Sequence, residues 1–379
     1  MAEIKGFSEE QRPIAIASLV VVTITVISLL IFSDKIGISS VPKEASSTPK
    51  AESQVGTSVK NENFTQKKEP TTVMTTTAPT TTQPMEFTVH STIIIQGNRA
   101  MEIYSVAKNN LQNYSISISE FAKKVPDKKV HVMLAPTSIE FYGPEEYHTG
   151  NHSQIKGIQV AYDALYGDNI TKINVLPEIN RHKDEYLYFR TDHHWTARGA
   201  YYAYKSFCET IGITPTKLTD HKSGQIDDFV GSMYTYTSSD VLKDNPDYVE
   251  YFYPLTGASG EIYSDATMSV SQPLRIITEN VYGRNKYLAF IEGDNPLEKI
   301  TTENKNGKKI AVIKESYGNA FVPFLIDNFE EIYVIDPRRV DMNLTGFSYE
   351  HGITDILFIN YPFVPSNHKY CEALNRMLQ

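Results

Sequence analysis

Between Thr92 and Leu378 the apolar positions recur with two spacings. Short apolar runs at Thr92–Gln96, Val130–Ala135, Asn169–Leu176, Lys309–Lys314, Glu331–Asp336 and Thr354–Asn360 predict strands. Helical spacing predicts helices over Met101–Val125, Ser153–Tyr166, Thr196–Ile211, Gly318–Asn328 and His368–Leu378. In the first of these, Ile103, Val106, Leu111, Tyr114, Ile118 and Phe121 fall on one face. Strands that alternate with helices point to βαβ units and a parallel sheet, whose strands, buried on both faces, read as continuous apolar runs. Polar residues close several strands at their C-terminal ends: Glu315-Ser316, Asp336-Pro337-Arg338 and Asn360-Tyr361. Ligands bind at that edge of open α/β sheets, so these three ends are expected to line one cleft.

Two segments break the pattern. Pro215 to about Arg284 is rich in Tyr, Ser and Asp, with short alternating runs such as Tyr248–Tyr253. It predicts a mostly β or irregular insertion, about 215–285, that walls or covers a site. The other segment is N-terminal. Ile14–Phe32 is a 19-residue run without a charge, which as a helix spans roughly 30 Å, the thickness of a hydrocarbon core. A cleavable signal peptide is the competing reading, but the run is long for one and no small-x-small site closes it. From Ile36 to about Glu86 follow Ser, Thr, Lys, Glu and Pro with few apolar residues. Such a stretch cannot bury enough surface to order itself, and it reads as a tether with a reach on the order of 40 Å. The expected organisation is a cytoplasmic tail (1–13), a transmembrane helix (14–32), a disordered linker (33–86) and an extracellular domain (87–379). A linker on the cytoplasmic side is the alternative.

Composition narrows the function. The 36 basic and 45 acidic residues leave a net charge of −9, which disfavours a nucleic-acid partner. Cys208 and Cys371 are the only cysteines, so a Cys-rich zinc site and a disulfide framework are excluded; one bond or none remains open.

The chemistry concentrates in Thr191-Asp192-His193-His194-Trp195-Thr196, which holds the only Trp of the chain. A carboxylate two residues before an imidazole can orient it, and the imidazole moves protons at neutral pH. A nucleophile is missing there. Ser316, where a buried strand is expected to give way to a helix, supplies one, with helix N–H groups nearby to hold an oxyanion. Taken singly, Asp192 is also a helix cap, Ser316 an N-cap, and His182, His193 and His194 a metal set. Together, Asp192, His194 and Ser316 have the composition of a triad, which geometry and not chain order defines. Asn319 and Arg338 are candidate oxyanion or substrate partners. No metal or cofactor is expected, and no Gly-rich phosphate loop argues for direct coenzyme A use.

Three stretches, Thr191–Thr196, Gly231-Ser232-Met233-Tyr234, and Lys314–Asn319 with Val322–Leu325, resemble the DHHW protein family of Firmicutes. That family is similar to the alginate O-acetyltransferases AlgJ and AlgX. The resemblance covers roughly Thr92–Gln379. It implies one α/β domain, an SGNH-hydrolase-like three-layer sandwich with a largely parallel sheet. It also implies a triad of Asp192, His194 and Ser316 and matches Arg338 to an Arg after the next strand; Tyr317 joins Asn319 and Arg338 as an oxyanion or substrate candidate. The implied activity is O-acetylation of a surface polysaccharide or cell-wall glycan, with a membrane-bound O-acyltransferase partner handing over the acetyl group. A carbohydrate esterase with the same triad, or a glycan-binding scaffold, is the alternative. This chain departs from the usual pattern at Glu315, where relatives commonly have Asp, and at Gly318, where they commonly have Ala.

Overall fold

The computed structural model of the protein describes residues 86–379. The expected tail, membrane span and nearly all of the linker lie outside these residues. Among the described residues no helix is long and apolar enough to cross a membrane.

Strands β1 (Phe87–His90), β2 (Ile93–Gln96) and β3 (Arg99–Glu102) form a small antiparallel sheet. The chain continues through α1 (Lys108–Lys124), β4 (Lys129–Leu134), α2 (Gln154–Ala164), β5 (Ile170–Ile173) and α3 (Ala197–Ile211). Next come β6 (Ser223–Phe229), β7 (Asp247–Phe252), β8 (Ala258–Tyr263), β9 (Ser271–Leu274), β10 (Leu297–Thr302) and β11 (Lys309–Lys314). β12 (Glu331–Ile335), β13 (Asp355–Asn360) and α4 (His368–Leu378) complete the longer elements. The main sheet has eight strands in the order β5-β4-β13-β11-β12-β10-β8-β9. The first five run parallel and the last three are antiparallel. β11 lies in the middle, with Val312 opposite Leu357 of β13 and Val334 of β12.

The pleat divides the interior into two cores. Ile310 and Val312 of β11, Ile332 and Val334 of β12, and Leu357 and Ile359 of β13 face α3 through Ala200, Tyr204 and Phe207. Ala311, Ile313, Tyr333, Ile335, Ile356 and Phe358 face the other way, onto α1, α2 and α4. Period-two alternation with both faces apolar is the physical origin of the continuous runs in the sequence. The fold is thus mixed α/β, with a large mixed sheet covered on both faces.

Three expectations change. Thr92–Gln96 is not a strand of the parallel sheet, and the helix expected from Met101 begins only at Lys108. Gln96 pairs with Arg99 across a two-residue turn, and Gly97 takes its first position with φ of 58°, where a left-handed backbone favours glycine. The expected insertion is only partly one. β6 and β7 form a separate ribbon, whereas β8 and β9 extend the main sheet. Finally, Gly318–Asn328 is not a continuous helix. A 3-10 turn at Ser316–Gly318 is followed by a short helix at Val322–Leu325. Pro323 has no N–H, and its ring would collide with the carbonyl four residues back in an unbroken helix, so it opens a new turn instead.

Candidate active site

The Asp-His-His-Trp stretch forms the bend that leads into α3. Thr196 caps the helix by accepting from the Gly199 N–H, and Tyr188 and Trp195 bridge the mouth of the bend. Asp247, only 2 % exposed, fixes it from behind. Its carboxylate accepts from the Tyr186 hydroxyl at 2.6 Å, the Arg190 N–H at 2.9 Å, the Thr191 N–H at 2.7 Å and the Thr191 hydroxyl at 2.7 Å. Nothing local in the sequence singles out Asp247, because every one of these partners is more than fifty residues away.

His194 Nδ1 lies 2.6 Å from Asp192 Oδ1, and His194 Nε2 lies 2.7 Å from Ser316 Oγ. A carboxylate only accepts, so the imidazole proton sits on Nδ1 and Nε2 is free to accept from the serine hydroxyl. Asp192 Oδ1 also takes the His194 N–H, and Oδ2 takes the Ser232 N–H at 2.8 Å. Burial alone would raise the Asp192 pKa. The charges of His194 and His193, with these hydrogen bonds, instead hold it well below the usual carboxylate range. Gly231 explains part of the second motif. A Cβ there would lie 2.3 Å from Asp192 Cβ and 2.4 Å from Oδ2, so only glycine lets this carboxylate sit where it does.

Tyr287 caps the base. Its ring stacks on the His194 imidazole at 3.9 Å with planes 10° apart, and its hydroxyl donates to the Ser316 carbonyl at 3.1 Å. Tyr287 lies in a stretch that carries no catalytic signature and was not singled out from sequence.

Ser316 starts the 3-10 turn at the C-terminal end of β11. Glu315 caps this turn. Its Oε2 accepts from the Tyr317 N–H at 3.0 Å and lies 3.3 Å from Ser316 Oγ, and its Oε1 accepts from the Tyr361 N–H at 3.1 Å. Burial pushes Glu315 up to about 7, against the lowering effect of the two N–H groups. The departure at Gly318 also has a reason. A Cβ there would meet the Lys314 stem at 2.6 Å, and Lys314 is wholly buried.

The remaining sequence candidates hold the turn more than they face it. The Tyr317 ring is buried, and its hydroxyl donates to the His193 carbonyl. Asn319 accepts from Lys314 Nζ at 2.5 Å and donates to Asp294 Oδ1 at 3.1 Å. Arg338 spends Nε and Nη2 on Asp336 and Asp294. The expected cleft of three strand ends is therefore joined directly between Glu315 and Tyr361, and through Asp294 between Lys314 and Arg338.

Asp192, His193 and His194 offer ligand atoms within 4.8 Å of one another. His182 is not one of them and binds Glu185 at 2.8 Å instead. Both ring nitrogens of His194 are engaged as above, and His193 Nδ1 lies 2.6 Å from the Ser232 hydroxyl. The thiols of Cys208 and Cys371 are free.

Residues 50–335 match the family described as DHHW protein. The chain belongs to that family. A DHHW family protein from Eubacterium siraeum is 32% identical and has a TM-score of 0.70, covering 78% of this chain and 98% of its own. Bacillus cereus PatB1 with a sulfonyl adduct shares the fold at 16% identity and a TM-score of 0.60, covering 76% of this chain and 98% of its own. The O-acetyltransferase domain of Pseudomonas putida AlgJ aligns at 11% identity and a TM-score of 0.42, over 76% of this chain and 98% of its own. No curated protein matches the chain.

Proposed function

We propose that this DHHW protein is an SGNH-type O-acetyltransferase that modifies hydroxyls of a surface polysaccharide or cell-wall glycan through an acyl-enzyme. The observation that carries the reading is the continuous chain from Asp192 through His194 to Ser316, with both links at 2.6–2.7 Å. Ser316 Oγ attacks the acetyl carbonyl of the donor while His194 Nε2 takes its proton, and Asp192 steadies the imidazolium. The Ser316 N–H, first in its turn, has no acceptor within that turn and is the donor assigned to the oxyanion. His194 returns the proton to the leaving group, and the acetyl stays on Ser316. A sugar hydroxyl then attacks, His194 takes its proton, and Ser316 regains its own as the ester leaves.

The fold shared with PatB1, which carries a sulfonyl adduct, fits a domain built around a reactive nucleophile. The acetyl group itself rests on the resemblance to the alginate enzymes. Anchoring through 14–32, an extracellular domain and a membrane-bound O-acyltransferase donor complete the proposal.

The test uses the full-length protein with an activated acetyl ester, read by intact mass. An adduct that is absent in Ser316→Ala and slow in His194→Ala supports the mechanism. Folded wild-type protein that acquires no acetyl group sinks it. Adding glycan acceptors then separates transfer from hydrolysis to free acetate.

A further inference from the structure

A hollow of about 240 Å³ opens beside the base, lined by Asp192, His194, Gly231, Ser232, Arg284 and Asn285 among others. Its size suits one sugar unit more than a large cofactor. A larger hollow of about 490 Å³, between Lys129, Lys308 and Asp355, lies at the opposite ends of the strands from Ser316.

Arg284 is the one Lys or Arg in the lining of the smaller hollow. It is exposed, and among the described residues no carboxylate pairs with it, whereas Arg190, Arg198 and Arg338 all have acidic partners. Its place is set by its neighbours. Lys286 donates to the carbonyls of Asp227 and Asp228, pinning the loop to the end of β6, and Tyr287 stacks on His194. These two anchors fix the chain immediately after Arg284 at the rim. The carboxylate inside the hollow does not answer it, because Asp192 is satisfied by His194 and the Ser232 N–H. A chain of net charge −9 thus holds one unmatched guanidinium beside its proton acceptor. The planar guanidinium fork suits a carboxylate or a phosphate, which it can bind through two parallel hydrogen bonds.

We propose that this hollow is the acceptor subsite and that Arg284 binds an anionic group on the acceptor sugar, making the substrate an acidic glycan. The inference rests on the acyl-transfer reading above. The hydroxyl to be acetylated would sit toward His194 Nε2, with the anion on the Arg284 side.

Binding to full-length Ser316→Ala protein tests it by calorimetry, with tetragalacturonate, its neutral methyl ester and a phosphorylated maltotetraose as probes. At least one acidic probe is expected to bind at least about tenfold more tightly than the methyl ester, the gap that one charge-assisted hydrogen bond supplies. Arg284→Gln should abolish the difference, and Arg284→Lys should keep part of it. Which probe wins distinguishes carboxylate from phosphate. Equal binding of acid and ester, a preference that survives in Arg284→Gln, or no binding of either acid overturns the subsite. Acetylation of Ser316 in the wild type, measured in parallel, shows separately whether the acyl-transfer reading stands.

Discussion

Trp195 and Tyr317 tie the two distant motifs together. The Trp195 indole N–H donates to the Tyr317 carbonyl at 2.9 Å, and the Tyr317 hydroxyl donates back to the carbonyl of His193 at 2.6 Å. Both side chains are fully buried. The bend that carries His194 and the turn that carries Ser316 are therefore fastened at the backbone, independently of the His194–Ser316 bond. Trp195→Phe leaves the Tyr317 carbonyl without its donor, and the expected cost is about 1–3 kcal/mol in urea unfolding. Ser316 acetylation should slow as well. A stability loss with an unchanged acetylation rate would show that the fastening does not aim the serine.

Gly231→Ala tests how tightly Asp192 is placed. The added methyl must displace the Asp192 side chain, whose Cβ it meets at 2.3 Å and whose carboxylate oxygen it meets at 2.4 Å. Overpacking of this kind costs about 1–3 kcal/mol, and a shift on the order of 1 Å at a catalytic group costs roughly a hundredfold in rate. Thermal unfolding and acetylation kinetics should both worsen, with the rate falling toward that of Asp192→Asn.

Tyr287 separates ring from hydroxyl. The ring lies flat on the imidazole that becomes cationic in the reaction, and an aromatic face stabilises a cation by about 0.5–2 kcal/mol. Tyr287→Phe keeps the stack and loses only the bond to the Ser316 carbonyl, so most of the rate should remain. Tyr287→Leu should lose about tenfold in acetylation rate, and equal rates for the two variants would exclude a role for the ring.

Glu315 predicts a pH dependence of stability. Its folded pKa, near 7, lies above its ordinary value of 4.5, so the native state binds more protons in that interval. The Glu315 contribution to stability therefore falls as pH rises from about 4.5 to 7, by an amount on the order of 3 kcal/mol. Asp192, held low, acts oppositely, and its contribution is lost only in acid below about pH 4. Glu315→Gln removes the neutral-range penalty, so unfolding curves of variant and wild type should converge near pH 4.5 and separate toward pH 8. Parallel curves across the range would refute it.

The parallel half of the sheet was legible because strands buried on both faces leave unbroken apolar runs. Asp192 and His194 were legible because they sit just ahead of an apolar helix, and Ser316 because it follows a buried strand. The antiparallel half was not. β10 reads Leu-Glu-Lys-Ile-Thr-Thr, and β8 and β9 are largely polar and half exposed at the sheet edge, so no run marks them. The hairpin of β2 and β3 was signalled by Gly97-Asn98 but lost to the helical spacing downstream. Asp247 and Tyr287 owe their roles to partners far along the chain, and their own neighbourhoods look like ordinary loop. The turn after Ser316 hid behind an apolar run that Pro323 interrupts.

His194 and Ser316 are 122 residues apart in the chain, and on the proposed mechanism this separation governs when the nucleophile comes into being. Asp192 and His194 meet through a bend of three residues and can form early. Ser316 reaches them only when the long intervening chain has closed, and contacts across so large a separation are slow to form. Until then Ser316 is an ordinary alcohol with no base. On the proposed mechanism, reactivity is then a property of the finished fold alone.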